Sequence, residues 1–224
     1  TEVIIGKFNS DGFPSNNKIF FKNSNLKTFS ANQFILLVNR LKFRPMIIWH
    51  YIVKKSLIKN QKLYFIDVKN GEDEEFGARL LCSMKSLSLY QNNYYWHRTR
   101  KQGGLRYSMD LKSTESYLKV FLEYYKFISK KTLSYNKLNF IDSCIKFAAG
   151  EFSARIILHS KNEIKKITSR IRGYSNISTT SVNKIKNNTL YSTLKNKKNI
   201  FYHKDIVTKN ILKKLNVIKF KFKY

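Results

Sequence analysis

The strongest structural signal in the chain is the stretch TESYLKVFLEYYKFIS, residues 114–129. Large apolar side chains recur in it at intervals of three and four residues, which is the spacing of one face of an α-helix. These side chains are Tyr117, Leu118, Phe121, Leu122, Tyr125 and Ile128. Because the predicted helix is apolar nearly all round, it must be deeply buried or packed by several neighbours.

Helical and extended patterns alternate on both sides of this helix. Further helices are predicted from Asn32 to just before Pro45 and over 46–59, 74–90 and 162–171, while 138–148 is a less certain segment whose type the pattern leaves open. Strands are predicted at KLYFIDV (62–68) and FSARIILH (152–159), with a hairpin over 94–111 that turns at Gly103-Gly104. This order predicts an α+β fold, in which helices pack on a small, mostly antiparallel sheet with a basic C-terminal extension.

The expected domain organisation follows from composition. Residues 1–30 are polar and rich in Asn and Ser, which indicates an extended N-terminal arm. The periodic patterns fall within 31–172, which we predict to be an α+β RNA-binding core. From residue 173 to residue 224 the chain turns to Ser, Thr, Asn and Lys, and this composition is typical of a basic extension.

The net charge points to a polyanionic partner. The 224 residues include 43 Lys and Arg against 14 Asp and Glu, a formal charge of +29. Self-repulsion of that size opposes a compact state, and contact with phosphates relieves it by neutralising the charge and releasing counterions. RNA is the favoured partner. A membrane surface is the alternative, although neither a basic amphipathic helix nor a lipid anchor is evident.

Codon-linked composition suggests where the gene resides. Phe, Tyr, Met, Ile, Asn and Lys, which are encoded by A- and T-rich codons, number 113 residues, whereas Gly, Ala, Arg and Pro number 24. Such a bias is typical of an AT-rich organelle genome. We therefore predict a mitochondrial location, in the matrix and on the ribosome; a plastid remnant or an AT-rich nucleus remain alternatives.

No catalytic or cofactor motif emerges from the sequence. It contains no phosphate-binding glycine loop, no HExxH and no GxSxG, so we expect neither an enzyme nor a bound cofactor or metal. The acids at 72–75 are interpreted as the start of a helix, with a metal or catalytic cluster as the alternative. No run of 18 apolar residues and no secretory signal is seen. Cys82 and Cys144 are predicted to be core residues, and the four histidines to lie at surfaces or interfaces.

Basic residues are concentrated in three places, and we predict that they bind RNA. The guanidinium group donates paired hydrogen bonds to phosphate, and aromatic faces stack on unpaired bases. The candidates are Arg98, Arg100, Lys101 and Arg106 in the hairpin, Lys165, Lys166, Arg170 and Arg172 in or just after the last helix, and Lys195, Lys197, Lys198, Lys213 and Lys214 in the extension. Tyr95 and Trp96 either stack on bases or anchor the hairpin to the core.

The segments KLYFIDV, LLCSMKSL, RTRKQGGLRYSMDLK, YLKVFLEYYKFI and SARIILHSKNEIKKI, within about 35–172, together resemble a family of organelle-encoded ribosomal proteins. It is the large-subunit family that binds 5S RNA in the central protuberance. A ribosomal protein of another family is the alternative interpretation of the same segments. In that family an apical basic loop approaches transfer RNA and the helices contact ribosomal RNA. The resemblance implies that Arg98, Arg100 and Lys101 take the loop role.

The sequence therefore predicts a structural constituent of the mitochondrial ribosome. Its expected partners are ribosomal RNA and neighbouring ribosomal proteins, with transfer RNA as a further candidate and no membrane span. Two other functions remain open at this stage. One is an RNA-processing enzyme such as an intron maturase or homing endonuclease, and the other is an accessory basic subunit of a respiratory complex that meets cardiolipin.

Overall fold

The computed structural model describes residues 1–10, 28–42, 48–97, 109–156, 158–160, 162–163 and 166–167. The chain forms two compact units. The first contains residues 1–67, 72–107 and 133–144, and the second contains 68–71, 108–132 and the residues from 145 onward. Helices combined with a small sheet confirm the predicted α+β class. The predicted core of 31–172 is divided between both units, and the predicted extension of 173–224 lies outside the described residues.

The first unit is built on a mixed four-stranded sheet. Its elements are β1 (Val3–Ser10), β2 (Thr28–Ser30), α1 (Ala31–Leu41), a 3₁₀ turn (Ile48–His50), β3 (Tyr51–Val53), α2 (Lys55–Gln61), α3 (Glu72–Ser83) and β4 (Ser86–His97). The strand order is β2-β4-β1-β3. Two of the three pairings are antiparallel, as predicted, but the longest, between β1 and β4, is parallel.

The two faces of this sheet differ in composition. Val3, Ile5, Leu87, Leu89 and Phe29 alternate along their strands and are buried. Register places Thr28, Ser88, Ile4 and Ile52 in one row on the opposite face. In that row the hydroxyls of Thr28 and Ser88 lie 3.0 Å apart, and 55% of Ile52 is exposed. One face is therefore core and the other carries hydroxyls and an exposed aliphatic side chain.

The N-terminal segment differs from the arm predicted over 1–30. Val3–Ser10 is an inner strand of the sheet, and Thr28–Ser30 is an edge strand. Residues 11–27 lie outside the described part of the chain. The reason for the difference is long-range pairing, since Val3 is the register partner of Leu87 and of Val53. A local composition test does not detect a partner that far along the chain.

Helix α1 is confirmed where its periodicity predicted it. Ser30 caps the helix through a reciprocal capping box with Gln33, which satisfies backbone donors that the first turn leaves free. Phe34, Ile35 and Val38 form its buried face. A capping signal and a helical period close together in sequence are both local, so this element is decided by its own residues.

The second unit contains the helix that the sequence marked most strongly. Helix α4 (Leu111–Lys130) begins at Asp110, whose Oδ1 accepts a hydrogen bond of 2.7 Å from the backbone of Ser113. Its buried residues occupy most of its circumference, which confirms the prediction of a helix that is apolar nearly all round; they include Tyr117, Leu118, Val120, Phe121, Leu122, Tyr124 and Phe127. Helix α5 (Tyr135–Ile156) follows, and its residues from 145 onward belong to this unit.

Three predicted elements are wrong and a fourth, the helix over 74–90, is correct only in its first part. The helix over 46–59 is replaced by the 3₁₀ turn, β3 and α2, and the strand over 62–68 is irregular backbone. The helix over 74–90 ends at Ser83, after which β4 begins. The strand over 152–159 is instead the end of α5.

Competing periodicities explain these errors. The FSARIILH stretch alternates, yet Ala148, Phe152 and Ile156 are also spaced by four residues and are all buried on α5. Conversely, Leu87 and Leu89 continue an apolar pattern from α3 but alternate into β4. The hairpin over 94–111 is described only at its ends: 94–97 belongs to β4, and 109–110 is not a strand.

Candidate nucleic-acid interface

A run of lysines joins β3 to the irregular segment after α2. Between residues 51 and 66 the sequence YIVKKSLIKNQKLYFI contains four lysines and no acid. We call residues 54–62 the lysine segment. Its lysines are all exposed; they are Lys54, Lys55, Lys59 and Lys62. A run of exposed cations with no acid among them in the sequence is typical of a phosphate-binding segment.

Helical geometry aligns two of these lysines. Lys55 and Lys59 are spaced by four residues, so they follow one another along one side of α2, and Lys62 caps the end of the helix. Leu57, on the opposite side, is buried. The amphipathic pattern thus orients the helix with its apolar side inward and a stripe of ammonium groups toward solvent.

The lysine stripe is electrostatically unfavourable in the free protein. Like charges four residues apart on a helix destabilise it by a few tenths of a kcal/mol, roughly 0.2–0.5. Lys54 occupies the N-cap without a side-chain capping bond, and the positive end of the helix dipole repels cations there. An anionic partner converts each of these unfavourable terms into an attraction.

Three other lysines in the described part of the chain, Lys69, Lys119 and Lys126, have carboxylate partners. Lys119 lies 3.3 Å from Glu115, and Lys126 lies 3.0 Å from Glu123. Within the ranges that the structure describes, no such ion pair is formed by the lysine segment. The charge of this segment is therefore available for an external anion.

Two aromatic residues, Tyr64 and Phe65, lie one residue beyond the lysine segment. After α2 the chain turns at Lys62, which has a left-handed φ of 50°. The backbone N–H of Leu63 donates to the carbonyl of Ile58 at 3.0 Å, and the Leu63 side chain is buried. Tyr64 and Phe65 are instead largely exposed. The chain thus presents lysines and aromatic rings on consecutive stretches of the same unit.

An ion pair in α3 supports the segment after α2. Arg79 forms a salt bridge with Glu75, one turn earlier, and its Nη2 donates to Glu75 Oε2 at 2.6 Å. The same Nη2 donates to the backbone carbonyl of Tyr64, also at 2.6 Å. The Glu75 side chain is fully buried. A buried charged pair therefore ties the backbone at Tyr64 to the first turns of α3.

Of the thirteen predicted RNA-binding residues, the structure describes Lys166. It is exposed in a helical stretch, while the neighbouring Ile167 is buried, in agreement with the amphipathic helix predicted over 162–171. The other twelve lie outside the described residues; they are Arg98, Arg100, Lys101, Arg106, Lys165, Arg170, Arg172, Lys195, Lys197, Lys198, Lys213 and Lys214.

The aromatic side chain of Tyr95, beside the predicted hairpin tip, contacts another ring. Its ring stacks on Trp49 with centroids 4.6 Å apart and an interplanar angle of 26°. This contact supports the anchoring interpretation for Tyr95, although 38% of the residue is exposed.

The lysine segment was not among the predicted sites. The sequence divided these lysines between a helix ending at residue 59 and a strand beginning at residue 62, so they did not form one surface. A usable signal was nevertheless present. The spacing of Lys55, Lys59 and Lys62 and the absence of acids over 51–66 are both readable from the sequence.

The acidic run at 72–75 starts α3, as predicted. All four acids lie in its first turn, where the positive end of the helix dipole stabilises them. Within the described ranges, no group of His, Cys, Asp or Glu side chains is arranged to hold a metal ion. Burial, followed by the neighbouring Glu72 carboxylate, raises the pKa of Asp73 from 3.8 to about 6.

Replacing Asp73 with asparagine is expected to stabilise the protein at neutral pH. A raised pKa means that the folded state binds the proton more tightly than the unfolded state does, so stability falls as pH rises from 3.8 to about 6. Because the residue is half-buried, solvent screening reduces the gain at pH 7 to about 1 kcal/mol. Urea unfolding of the wild type and D73N near pH 4 and near pH 7 measures the difference in their free energies of unfolding. An equal difference at both pH values would contradict the assignment.

Two of the histidines and both cysteines can be placed by their burial and contacts. His50 is buried, which corrects the prediction that it lies at a surface or interface, and burial lowers its pKa to about 4. His159 Nε2 lies 2.8 Å from the Thr114 hydroxyl. Cys82 and Cys144 are buried and free, as predicted, and burial raises the pKa of Cys82 to about 12. At that pKa the Cys82 thiol is protonated at physiological pH and is a poor nucleophile.

Comparison with known proteins yields a likeness of fold. No family model matches the chain, and no curated protein matches it. Among solved structures, the chain is similar to TarS from S. aureus, residues 1–349, a glycosyltransferase determined in complex with UDP-GlcNAc. The TM-score is 0.50 at 14% sequence identity, with 79% of this chain and 49% of that chain covered. The chain thus spans about half the length of that structure.

The helices of the described residues include none that is both long enough and apolar enough to cross a membrane.

Proposed function

We propose that this protein is a non-enzymatic, structural constituent of the mitochondrial ribosome that binds ribosomal RNA. The lysine segment is one contact, and the segments predicted to form the hairpin, the last helix and the C-terminal extension supply the others. Neighbouring ribosomal proteins are its further partners, with transfer RNA a candidate at the hairpin. The AT-rich composition supports the mitochondrial location, and the distribution of charge supports RNA as the partner.

The distribution of charge is the observation that carries this proposal. Residues 1–159 contain 26 Lys and Arg against 12 Asp and Glu, whereas residues 160–224 contain 17 against 2. Five salt bridges between Lys or Arg and acids engage Asp110, Glu75, Glu115, Glu123 and Glu151 within the described ranges. The chain has too few acids to neutralise the other segments internally, so a polyanion is the natural source of compensating charge.

The likeness to TarS concerns the fold, and we infer no substrate for this chain from it. A fold accommodates many functions, and function is argued from the site. In this chain the surface with the clearest chemistry is a stripe of ammonium groups, which recognises phosphate as a set of point charges. An RNA-processing enzyme and a subunit of a respiratory complex stay as alternative outcomes of the experiment below.

Sedimentation of lysed mitochondria, followed by RNA crosslinking, tests the proposal. The protein should sediment with a ribosomal subunit through moderate salt and crosslink to ribosomal RNA. Recovery as a free soluble species would overturn the proposal. Migration with a respiratory complex, or crosslinking to an intron together with a splicing activity, would instead support one of the alternatives.

Neutralising the lysine segment should weaken RNA binding without unfolding the protein. The variant K54Q/K55Q/K59Q/K62Q removes four cations. In the wild type, each contact of such a cation with a phosphate releases about 0.7–0.9 counterions from the RNA. We expect affinity to fall about 10- to 100-fold and the slope of log K against log salt to fall by about 3. Filter binding to ribosomal RNA fragments over a salt series measures both quantities.

A second variant with the same change of charge provides the control. K112Q/K126Q/K130Q/K131Q removes four exposed lysines at or next to α4. Its salt slope should change by less than about 1 if the location of the charge matters. Equal losses in both variants would show that net charge alone governs binding and would remove the lysine segment from the proposal.

A further inference from the structure

Two adjacent aromatic residues are exposed beside the lysine segment. Tyr64 is 65% exposed and Phe65 is 51% exposed. Both belong to the first unit, and both precede the exposed Asp67. Exposed rings of this size are uncommon as neighbours, because each one forgoes the favourable burial of its apolar surface. Such a pair marks a surface that gains from being covered.

The backbone and one ring of this pair are held in place. The Phe65 ring stacks on Phe76 of α3 with centroids 4.3 Å apart and an interplanar angle of 12°. One face of Phe65 is therefore supported by protein while half of the residue remains accessible. The carbonyl of Tyr64 accepts a hydrogen bond from Arg79, and the preceding Leu63 is buried. A ring on a fixed support loses little freedom when a ligand stacks on it.

The lysines beside Tyr64 and Phe65 indicate which kind of ligand binds to these rings. Lys62 is three residues from Phe65 along the chain, so their Cα atoms are at most about 11 Å apart. A purely apolar partner would desolvate the ammonium groups of the lysine segment on approach, at a cost. An RNA strand with unpaired bases satisfies both parts of the surface, because its bases have flat apolar faces and its backbone is anionic.

We propose that Tyr64 and Phe65 form a stacking site for unpaired bases of an RNA strand whose phosphates contact Lys59 and Lys62. The inference rests on the RNA-binding function proposed above and names the form of RNA that this surface prefers. Stacking tolerates any base, because each base has a π-face, so the site selects single-stranded RNA over duplex rather than a particular sequence.

Binding to a single strand and to a duplex tests this site. The probes are a labelled oligouridine of about twelve nucleotides and an RNA duplex of about twelve base pairs, within the range of single-strand site sizes. Wild-type protein should prefer the oligouridine. Y64L and F65L, which keep apolar volume but remove the flat ring, should each weaken oligouridine binding about 5- to 100-fold and leave duplex binding unchanged. Y64F and F65Y should restore wild-type binding because they retain the ring.

An exposed tyrosine elsewhere in the first unit supplies the matched control. Tyr135 is 53% exposed at the start of α5, and Y135L should bind both probes as the wild type does. If F65L and Y64L bind oligouridine normally while the K54Q/K55Q/K59Q/K62Q variant loses RNA, the stacking site is overturned and the proposed function stands. If the wild type binds neither probe, and ribosomal RNA fragments also fail to bind, both are overturned.

Thermal melting of each variant distinguishes lost stacking from lost structure. F65L also removes the ring contact with Phe76, so its melting temperature is measured beside that of F65Y. Loss of oligouridine binding with duplex binding retained supports the stacking site even where F65L melts earlier. Parallel loss of binding to both probes in F65L and F65Y would overturn it.

Discussion

Replacing Arg79 with methionine is expected to lower the free energy of unfolding by about 3–5 kcal/mol. The Glu75 side chain is fully buried, and Arg79 supplies its charged partner from one turn away. Methionine keeps much of the aliphatic volume but removes the cation that pairs with the buried Glu75 carboxylate. The substitution also removes the hydrogen bond from Nη2 to the carbonyl of Tyr64.

Urea unfolding at pH 7 measures the effect of R79M, with K126M as its control. Lys126 pairs with Glu123 on α4 at 3.0 Å, but 48% of its side chain is exposed, so its loss should cost no more than about 1 kcal/mol. The double variant E75M/R79M should recover much of the stability lost in R79M, since it also removes the buried carboxylate. A loss in R79M no larger than in K126M would mean that Glu75 is not buried as an ion.

Replacing Gly71 with alanine is expected to destabilise the second unit by about 2–4 kcal/mol. Gly71 has a φ of +86°, a conformation that side chains rarely adopt. An added Cβ would also lie 3.0 Å from Val120 Cγ2 and 3.4 Å from Tyr117 Cε1. Both neighbours belong to the buried surface of α4, so they have little room to move. Backbone strain and overpacking therefore act in the same direction.

Replacing Gly150 with alanine is expected to stabilise the protein, in contrast to the same substitution at Gly71. Gly150 lies within α5, and an added Cβ would meet no atom within 4 Å there. Alanine is favoured over glycine in a helix interior, so G150A should gain up to about 1 kcal/mol. Thermal or urea unfolding of both variants makes the comparison. If G71A unfolds at the same denaturant concentration as G150A, the positive φ and the close contacts at Gly71 are refuted.

Local signals allowed helices α1 and α4 and the start of α3 to be predicted. Each depends on residues a few positions apart, such as the capping box of Ser30 with Gln33 or the acids in the first turn of α3. The sheet was not predictable in the same way. Strand β1 pairs with β4, which lies more than 80 residues away, and the parallel direction of that pairing has no local signature. Sequence periodicity alone therefore missed β1 and β3 and placed a strand at 62–68.

The candidate surface was only partly predictable for a related reason. Charge is readable from sequence, and the spacing of the lysines in α2 could have indicated them. Exposure of Tyr64 and Phe65 could not be read in this way, because in KLYFIDV they look like strand residues of a core. Packing buries Leu63 and leaves the next two residues outside, and that outcome depends on α3 through Phe76 and Arg79.

The brevity of the outer strands has a consequence for association between copies of the protein. Strands β2 and β3 form the two borders of the sheet, and each is three residues long. A border that short offers few backbone groups to a strand from another molecule, and Lys54 places a charge at the end of β3. We therefore expect this sheet to resist templated aggregation through its borders.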